Sequence, residues 1–174
     1  MQCGISTGRL LACKDNVGGI KNIYFADYGT LGALTIVDGE ITAIAGTPDI
    51  YKYEVRGANN LEVTVTQSAD NGTTFYEQAL NVTLHKLDND TTVALHNIVI
   101  GRPHVFVEDN NGKFYSVGVT RGCDTTGGTF ATGAAFGDMS GYTLALSAQE
   151  AFYPYLVASS VISSNLVATD IDPA

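Results

Sequence analysis

The feature that most constrains the fold is an alternation of apolar and polar residues with a period of two. It recurs in residues 51–55, 61–65, 80–84 and 142–146. Because successive side chains of a β-strand point to opposite faces of a sheet, each segment can bury one face and expose the other. The chain also has 19 glycines and no tryptophan, which favours short strands joined by glycine turns over long helices. The sequence therefore predicts a mainly β protein.

Two turns rich in Asp, Asn and Gly lie between apolar segments. Asp38 and Gly39 separate two short apolar runs, and the polar run 108–113 divides the segment 104–119. Aspartate, asparagine and glycine accept the positive φ angles that tight hairpin turns require. Both segments are therefore predicted to be β-hairpins.

One segment is predicted to be an α-helix, over about residues 91–100. Asp90 is expected to cap its first turn, and Gly101 and Pro103 are expected to end it. Its apolar face is formed by Leu95, Ile98 and Val99.

At 174 residues the chain is within the size range of one domain. We expect residues 1–158 to form a single β domain. Residues 147–151 are expected to form a turn that Pro154 prevents from continuing. Residues 159–174 are small, polar and aliphatic without periodicity, which is typical of a C-terminal arm that becomes ordered against a neighbour.

The chain is acidic, with nine lysines and arginines against 18 aspartates and glutamates and a formal net charge of -9. Such a charge repels polyanions from most of the surface, and a basic footprint for nucleic acid is absent from the sequence. Residues 1–8 lack the basic and apolar regions of a secretory signal, and no apolar run approaches the ~20 residues of a membrane helix. We expect the chain to be made in a cytoplasm and kept or assembled there.

The histidines do not predict a catalytic, cofactor or metal site. His85, His96 and His104 are expected on a strand, a helix and the start of a hairpin strand. No HExxH motif and no carboxylate at ligand spacing accompanies them. Structural roles are therefore predicted for all three.

The three cysteines are predicted to be reduced structural thiols. Cys3, Cys13 and Cys123 cannot all pair within one chain, and none belongs to a CxxC motif or a metal-ligand cluster. A nucleophilic site would require Cys13 or Cys123 to meet a histidine in space, which nothing in the sequence suggests.

Two further motifs have plain explanations. Residues 122–133 are rich in glycine but lack the GK[ST] ending of a phosphate loop, so a flexible surface loop is predicted. Glu108 and Asp109 resemble a fragment of a calcium loop without its DxDxDG core, and are expected to be solvated hairpin residues. The other charged residues are expected on outward faces of strands, so an enzyme is the weaker hypothesis.

Three segments, in order along the chain, resemble those of bacteriophage tail-tube proteins. They are NGTTFYEQALNVTLHKL at 71–87, HVFVEDNNGKFYSVG at 104–118 and GDMSGYTLALSAQE at 137–150. The hairpin followed by a late strand of the form GDxSGYTLxLxxxE is similar to virion tube subunits of phages that infect Bacteroidetes. The resemblance covers about residues 50–157. The first fifty residues and those after Ala158 lie outside it.

The resemblance implies a two-sheet β-sandwich or barrel of the tail-tube type with one short flanking α-helix. It implies a virion structural protein, assembled in the cytoplasm of a bacterial host, whose six copies close into a hexameric ring around an inner β-barrel. Stacked rings would form a viral tail tube through which DNA passes without specific binding, and other tail or connector proteins would be partners. Ring closure would pair open sheet edges, and an acidic lumen would repel phosphates.

The resemblance also suggests which segments connect the rings. Residues 67–74 are the first candidate, because family members project a loop there, and a plain solvent-exposed hairpin is the alternative. Residues 159–174 are the second candidate, and a frayed terminus is the alternative.

The alternative function is a monomeric or trimeric β-rich binding module, such as a capsid decoration, connector or adhesin domain. Oligomer stoichiometry separates this module from a tube subunit. A hydrolase is a third class, and it would require an activity that depends on His104 or Cys123.

Overall fold

The computed structural model describes residues 4–168, 170 and 171. Eleven β-strands and two α-helices lie in this part of the chain. The first six strands are β1 (Ile20–Ala26), β2 (Leu34–Val37), β3 (Glu40–Ile44), β4 (Ile50–Glu54), β5 (Asn60–Ser68) and β6 (Thr73–His85). The other five are β7 (His104–Asp109), β8 (Phe114–Val117), β9 (Asp124–Ala131), β10 (Gly141–Glu150) and β11 (Leu156–Val157). The helices are α1 (Asn89–Ile100) and α2 (Ser159–Asn165).

The strands form two sheets of unequal width. Seven strands make the large sheet, in the order β2-β3-β11-β8-β7-β1-β4, and four make the small sheet, in the order β5-β6-β10-β9. Neighbouring strands are antiparallel except for β3 and β11, which run parallel. The mainly β fold with two sheets is therefore confirmed, and α2 is a second helix that the sequence did not predict.

The main core lies between the two sheets. Ile23 and Val105 of the large sheet belong to one buried cluster with Leu80 and Leu146 of the small sheet, and Leu95 of α1 joins them. The opposite face of the large sheet has a second core. There Ile41 and Phe106 pack with Val161 and Ile162 of α2. The central part of the large sheet is thus covered on both faces, whereas the outer face of the small sheet has no covering layer among the described residues.

All four segments with apolar alternation form strands, as predicted: β4, β5, β6 and β10. The alternation is clearest in β10, where Tyr142, Leu144 and Leu146 are buried and the residues between them are not. Both predicted hairpins are confirmed as β2–β3 and β7–β8. Asp38 and Gly39 have φ angles of 51° and 83°, as a type I′ turn requires.

Two segments differ from their predictions. Residues 122–133 are not a flexible surface loop, because they contain β9, which pairs with β10 along most of its length. Residues 147–151 are not a separate turn, because β10 continues through them to Glu150. In both cases, pairing with a long neighbouring strand overrides the local sequence signal. β6 pairs with all ten residues of β10, and this ladder extends β10 past the local turn signals and gives β9 a template.

The predicted helix is confirmed with two corrections. Its N-cap is Asp88, not Asp90, since one carboxylate oxygen of Asp88 accepts the N–H groups of Asp90 at 3.0 Å and Thr91 at 3.2 Å. An N-cap side chain reaches the second and third amides of the helix from an extended residue, whereas Asp90 already lies inside the first turn. Val99 is exposed, because the buried stripe is centred on Leu95.

Residues 159–167, predicted to order against a neighbour, instead pack on the chain's own large sheet. α2 buries its apolar side chains there, and the N–H of Val167 donates to the carbonyl oxygen of Ile50 at 2.9 Å. A helix of seven residues is too short for its periodicity to stand out in the sequence. Thr169 and residues 172–174 of the predicted arm lie outside the described residues.

We predict that Asp88→Ala lowers the free energy of unfolding by about 0.5–2 kcal/mol, because two amides of α1 lose their acceptor. Asp90→Ala is the matched control: it removes only a first-turn carboxylate, which should cost about 0.3 kcal/mol. Urea denaturation followed by circular dichroism measures both values. A larger loss for Asp90→Ala than for Asp88→Ala would contradict the assignment of the cap.

Candidate assembly surface

The small sheet has two open edges. Among the described strands, β5 pairs only with β6, and β9 pairs only with β10. The nine residues of β5 and the eight residues of β9 therefore present unpaired backbone groups on their outer sides. Neither strand contains the lysine or proline that often blunts a free edge. These edges are suited to pairing with another chain.

The two edges run in opposite directions. Each strand of the small sheet is antiparallel to its neighbour, and the sheet has an even number of strands. If β9 of one copy pairs with β5 of the next, the two strands are antiparallel, like all other neighbours in the sheet. Two different surfaces then join head to tail, which is the contact that builds rings when the rotation closes.

The outer face of the small sheet is largely polar and carries no lysine or arginine. Leu80 and Leu146 point into the core, so the alternate residues of their strands point outward. These outward residues are mainly threonine, serine, asparagine and alanine, and β5, β6, β9 and β10 contain no lysine or arginine. Three exposed carboxylates lie in these strands: Glu62, Glu77 and Asp124. The face is therefore weakly acidic.

The two ends of the small sheet carry different loops. Residues 73–75 of β6 pair with β5 but not with β10, so the hairpin with turn 69–72 projects beyond the rest of the sheet. At the opposite end, residues 132–140 join β9 to β10 and present Phe136, which is fully exposed. Asp138 accepts two backbone N–H groups inside this loop, and these bonds lower the pKa of Asp138. The loop is thus held in shape by its own residues.

Glu108 is buried and is not a solvated hairpin residue as predicted. Its carboxylate accepts hydrogen bonds from Asn22 at 2.6 Å and Tyr24 at 2.8 Å, and it pairs with Lys21 at 3.2 Å. Burial by itself raises the pKa of Glu108, but the three partners together bring that pKa below its ordinary value. Asp109 does organise the turn, since it accepts two backbone N–H groups there. Glu108 therefore fastens β7 to β1.

A second buried polar group fixes the segment after β8. Glu150, predicted to face outward like other strand carboxylates, is buried and accepts the N–H groups of Thr120 at 2.8 Å and Arg121 at 3.1 Å. The side-chain oxygen of Gln78 accepts the N–H of Gly118 at 3.0 Å. Both side chains come from the small sheet, so they tie it to the end of β8.

The histidines lie apart from one another. His104 is buried, with Nδ1 at 2.7 Å from the carbonyl oxygen of Gly118 and Nε2 accepting the N–H of Gly29 at 3.1 Å. Nδ1 therefore carries the proton, and burial lowers the pKa of His104, which favours the neutral ring. His85 on β6 and His96 on α1 are exposed. The ring of His104 thus links the start of β7 to Gly118 and Gly29.

The described cysteines do not form a nucleophilic site. Cys123 is fully buried, and this burial raises the pKa of its thiol, which suppresses the reactive thiolate. Cys13 is exposed, and Cys3 lies outside the described residues. In residues 4–168, 170 and 171, no group of three or more His, Cys, Asp and Glu is arranged to hold a metal ion. No helix in those residues is long and apolar enough to cross a membrane.

A groove of about 1320 Å³ lies between β4 and α1. The guanidinium of Arg102, which also lines it, lies 4.4 Å from the ring centroid of Tyr28. Its lining includes Phe25, Tyr51, Tyr53, Arg56 and Ile98. The groove is therefore lined by both aromatic and charged side chains.

We predict that Glu108→Gln removes part of the acid sensitivity of the fold. Because the pKa of Glu108 is lower in the folded chain, its stabilising effect is complete above the unfolded value of 4.5 and is lost as the pH falls through the folded value. The variant should lose about 1–3 kcal/mol at neutral pH, since Asn22 and Tyr24 then donate to a neutral amide oxygen instead of a carboxylate and Lys21 loses its ion pair. Its stability should then change less than that of the wild type at lower pH.

Urea denaturation in steps from neutral to acidic pH tests this prediction, with exposed Glu62→Gln as the control. The control should match the wild type at every pH. An unchanged pH dependence in Glu108→Gln would show that other carboxyl groups dominate acid unfolding.

The open edges, the cation-free outer face and the projecting loops all belong to the small sheet. Glu150 and Gln78 tie this sheet to the end of β8, and the described His, Cys, Asp and Glu residues form no group of three or more that could hold a metal ion. Comparison of this chain with models of known protein families, with curated proteins and with solved structures finds no match.

Proposed function

We propose that the chain is a structural protein of a bacteriophage virion, a tail tube subunit that assembles into stacked hexameric rings and forms a conduit for DNA. The observation that carries this proposal is the pair of open, oppositely directed edges on a small sheet whose outer face has no cations. Assembly takes place in the cytoplasm of the bacterial host, and the tube performs no catalysis. Other tail or connector proteins contact its ends.

Pairing of β9 with β5 of the next copy supports a closed ring. Six copies of a four-stranded sheet give a barrel of 24 antiparallel strands. With strands about 4.8 Å apart, such a barrel is roughly 37 Å across before strand tilt widens it further. Closure gives every edge strand a partner and removes the risk of uncontrolled edge-to-edge association. The number six follows from the resemblance to tail-tube proteins.

The chemistry of the outer face supports its placement toward the lumen. Glu62, Glu77 and Asp124 repel phosphates, and the hydroxyl and amide side chains around them offer no fixed positive charge. A polyanion can move along such a surface because no residue binds its backbone tightly. The lumen then conducts DNA without specific contacts.

The loops at the two ends of the small sheet support stacking of the rings. In a barrel the ends of the strands point along the tube, so turn 69–72 of one ring faces loop 132–140 of the next. The projecting hairpin agrees with the predicted ring contact at residues 67–74. The exposed ring of Phe136 supplies an apolar group for this contact.

The groove between β4 and α1 favours the alternative function, a capsid decoration, connector or adhesin-type binding module. Such a module would use the groove for a ligand and leave β5 and β9 unpaired. Mass photometry of the purified chain separates the two functions. Six-copy particles or tubes support the tube subunit, whereas particles no larger than trimers favour the module.

We predict that Val65→Lys prevents ring formation without unfolding the chain. Val65 lies on edge strand β5 and is 57% exposed, so a lysine there leaves the core intact but blocks edge pairing. Val93→Lys on α1 is the matched control, because Val93 is 55% exposed and lies outside the small sheet.

Circular dichroism should show that both variants fold. Mass photometry and negative-stain images should then show rings for Val93→Lys and the wild type, but no rings for Val65→Lys. Rings formed equally well by Val65→Lys would count against closure through β5.

We predict that Glu62→Lys combined with Glu77→Lys turns the conduit into a DNA-binding surface. The two side chains lie on the face assigned to the lumen, so rings should still form but should hold duplex DNA at low salt. Asp49→Lys combined with Asp90→Lys changes the net charge equally at exposed positions outside the small sheet.

Fluorescence anisotropy of a labelled duplex, measured over a range of salt concentrations, compares the two double variants. Binding by the Glu62 and Glu77 variant should weaken steeply as salt rises. Equal binding by the control would show that net charge, and not the position of the carboxylates, excludes DNA.

A further inference from the structure

The N-terminal segment of residues 4–16, here called the arm, does not contact the core. Ile5, Leu10 and Leu11 are 100%, 92% and 103% exposed. Soluble chains rarely leave large aliphatic side chains so completely in water without covering them on another surface. The arm contains no strand or helix of its own. Its apolar residues therefore indicate a docking segment.

The base of the arm is fixed. The side chain of Asn111 in the β7–β8 turn accepts the N–H of Val17 at 3.0 Å and donates to its carbonyl oxygen at 2.7 Å. Asn110 donates to the carbonyl oxygen of Gly18 at 2.7 Å. An extended arm of this length reaches roughly 43 Å beyond that base, well past the radius of gyration of about 16 Å expected for a domain of this size. The arm is long enough to reach a neighbouring copy.

The large sheet extends past the small sheet and leaves a second unpartnered surface, here called the overhang. It consists of β2, β3 and β11, and β2 has no partner on its outer side among the described strands. Glu40 pairs with Val37 on one side and with Leu156 on the other. The three side chains therefore lie on the same face, the one that turns toward the small sheet. Val37 and Leu156 are nevertheless exposed. Ile36 is exposed on the opposite face of the same strand.

We propose that the arm of one copy adds as a strand to the free edge of β2 in the next copy. This inference rests on the proposed self-assembly and names the contact that tethers one subunit to another. Backbone groups of β2 give the arm its hydrogen bonds, as in other cases of strand addition.

The arm and the edge of β2 each carry a pair of consecutive exposed apolar residues. Leu10 and Leu11 are consecutive, so they point to opposite faces of an added strand. Ile36 and Val37 are also consecutive and exposed on opposite faces. One arm therefore covers both sides of the edge at once.

The charges of the two surfaces are opposite. Arg9 and Lys14 flank the two leucines and, together with Asp15, give the arm a net charge of +1, whereas the whole chain carries a net charge of -9. Asp38 and Glu40 lie in and beside the turn that ends β2, and the three strands of the overhang contain no lysine or arginine. The arm thus offers cations to one of the acidic, apolar surfaces of the chain.

Thiol cross-linking tests the proposal, because the arm already carries the exposed thiol of Cys13. In a Cys3→Ser background, Val37→Cys places a second thiol on the edge of β2, and Cys123 is too buried to react. A short bis-maleimide should then link neighbouring copies into a ladder of covalent oligomers on a denaturing gel. Val93→Cys in the same background is the matched control and should give no ladder.

Adding Leu10→Ser and Leu11→Ser to the Val37→Cys chain should reduce the ladder at least tenfold. A ladder in the Val37→Cys chain that persists in this variant would overturn the role of the leucines. A fast-migrating, internally linked monomer would show that the arm folds back on its own copy, and would overturn the exchange.

Mass photometry of the same samples separates this proposal from the proposed function. Rings without a ladder would contradict arm exchange but would still support the proposed tail tube. A ladder without rings supports arm exchange and counts against the tube. Monomers without a ladder overturn both.

Discussion

The unequal width of the two sheets is the constraint on which the rest of the structure depends. The small sheet covers only part of the large one, because four strands cannot shield one face of seven. Where they overlap, apolar side chains from both sheets are buried in one core. Where they do not overlap, the chain exposes the β2 side of the large sheet and the groove beside β4. The exposed surfaces therefore follow from the same mismatch.

Much of the fold could be predicted from local patterns. The alternation in β10 and the Asp38-Gly39 turn each carry their signal within a few residues. β9 was missed because its two glycines and many threonines resemble a loop until β10 is present as a partner. The cap was misplaced by two residues, because Asp88 and Asp90 are chemically alike and only backbone geometry tells them apart. Sequence patterns thus predicted the elements whose conformation is determined by their own residues.

The candidate site was less accessible to sequence reasoning, because it is made by topology. Nothing in the residues of β5 and β9 says that they are edges, since an edge is defined by the strands that are absent beside it. Glu108 shows the same limit within the core. The residues that follow it belong to a turn, but its partners Asn22 and Tyr24 lie more than eighty positions away. A carboxylate with distant donors cannot be distinguished from a solvated one by local pattern.

The acidic charge of the chain decides what kind of contact can hold copies together under the proposed function. Each copy carries a net charge of -9, so identical subunits repel one another as they approach. Backbone hydrogen bonds between β5 and β9 form between uncharged groups and do not require oppositely charged side chains. Neither strand contains a lysine or arginine that could bind DNA in the lumen. An arm with Arg9 and Lys14 attracts an acidic neighbour, and both cations lie outside the four strands of the small sheet. Cohesion then depends on backbone groups and on the arm, whereas conduction depends on the side chains that face the lumen, so that strengthening one does not require weakening the other.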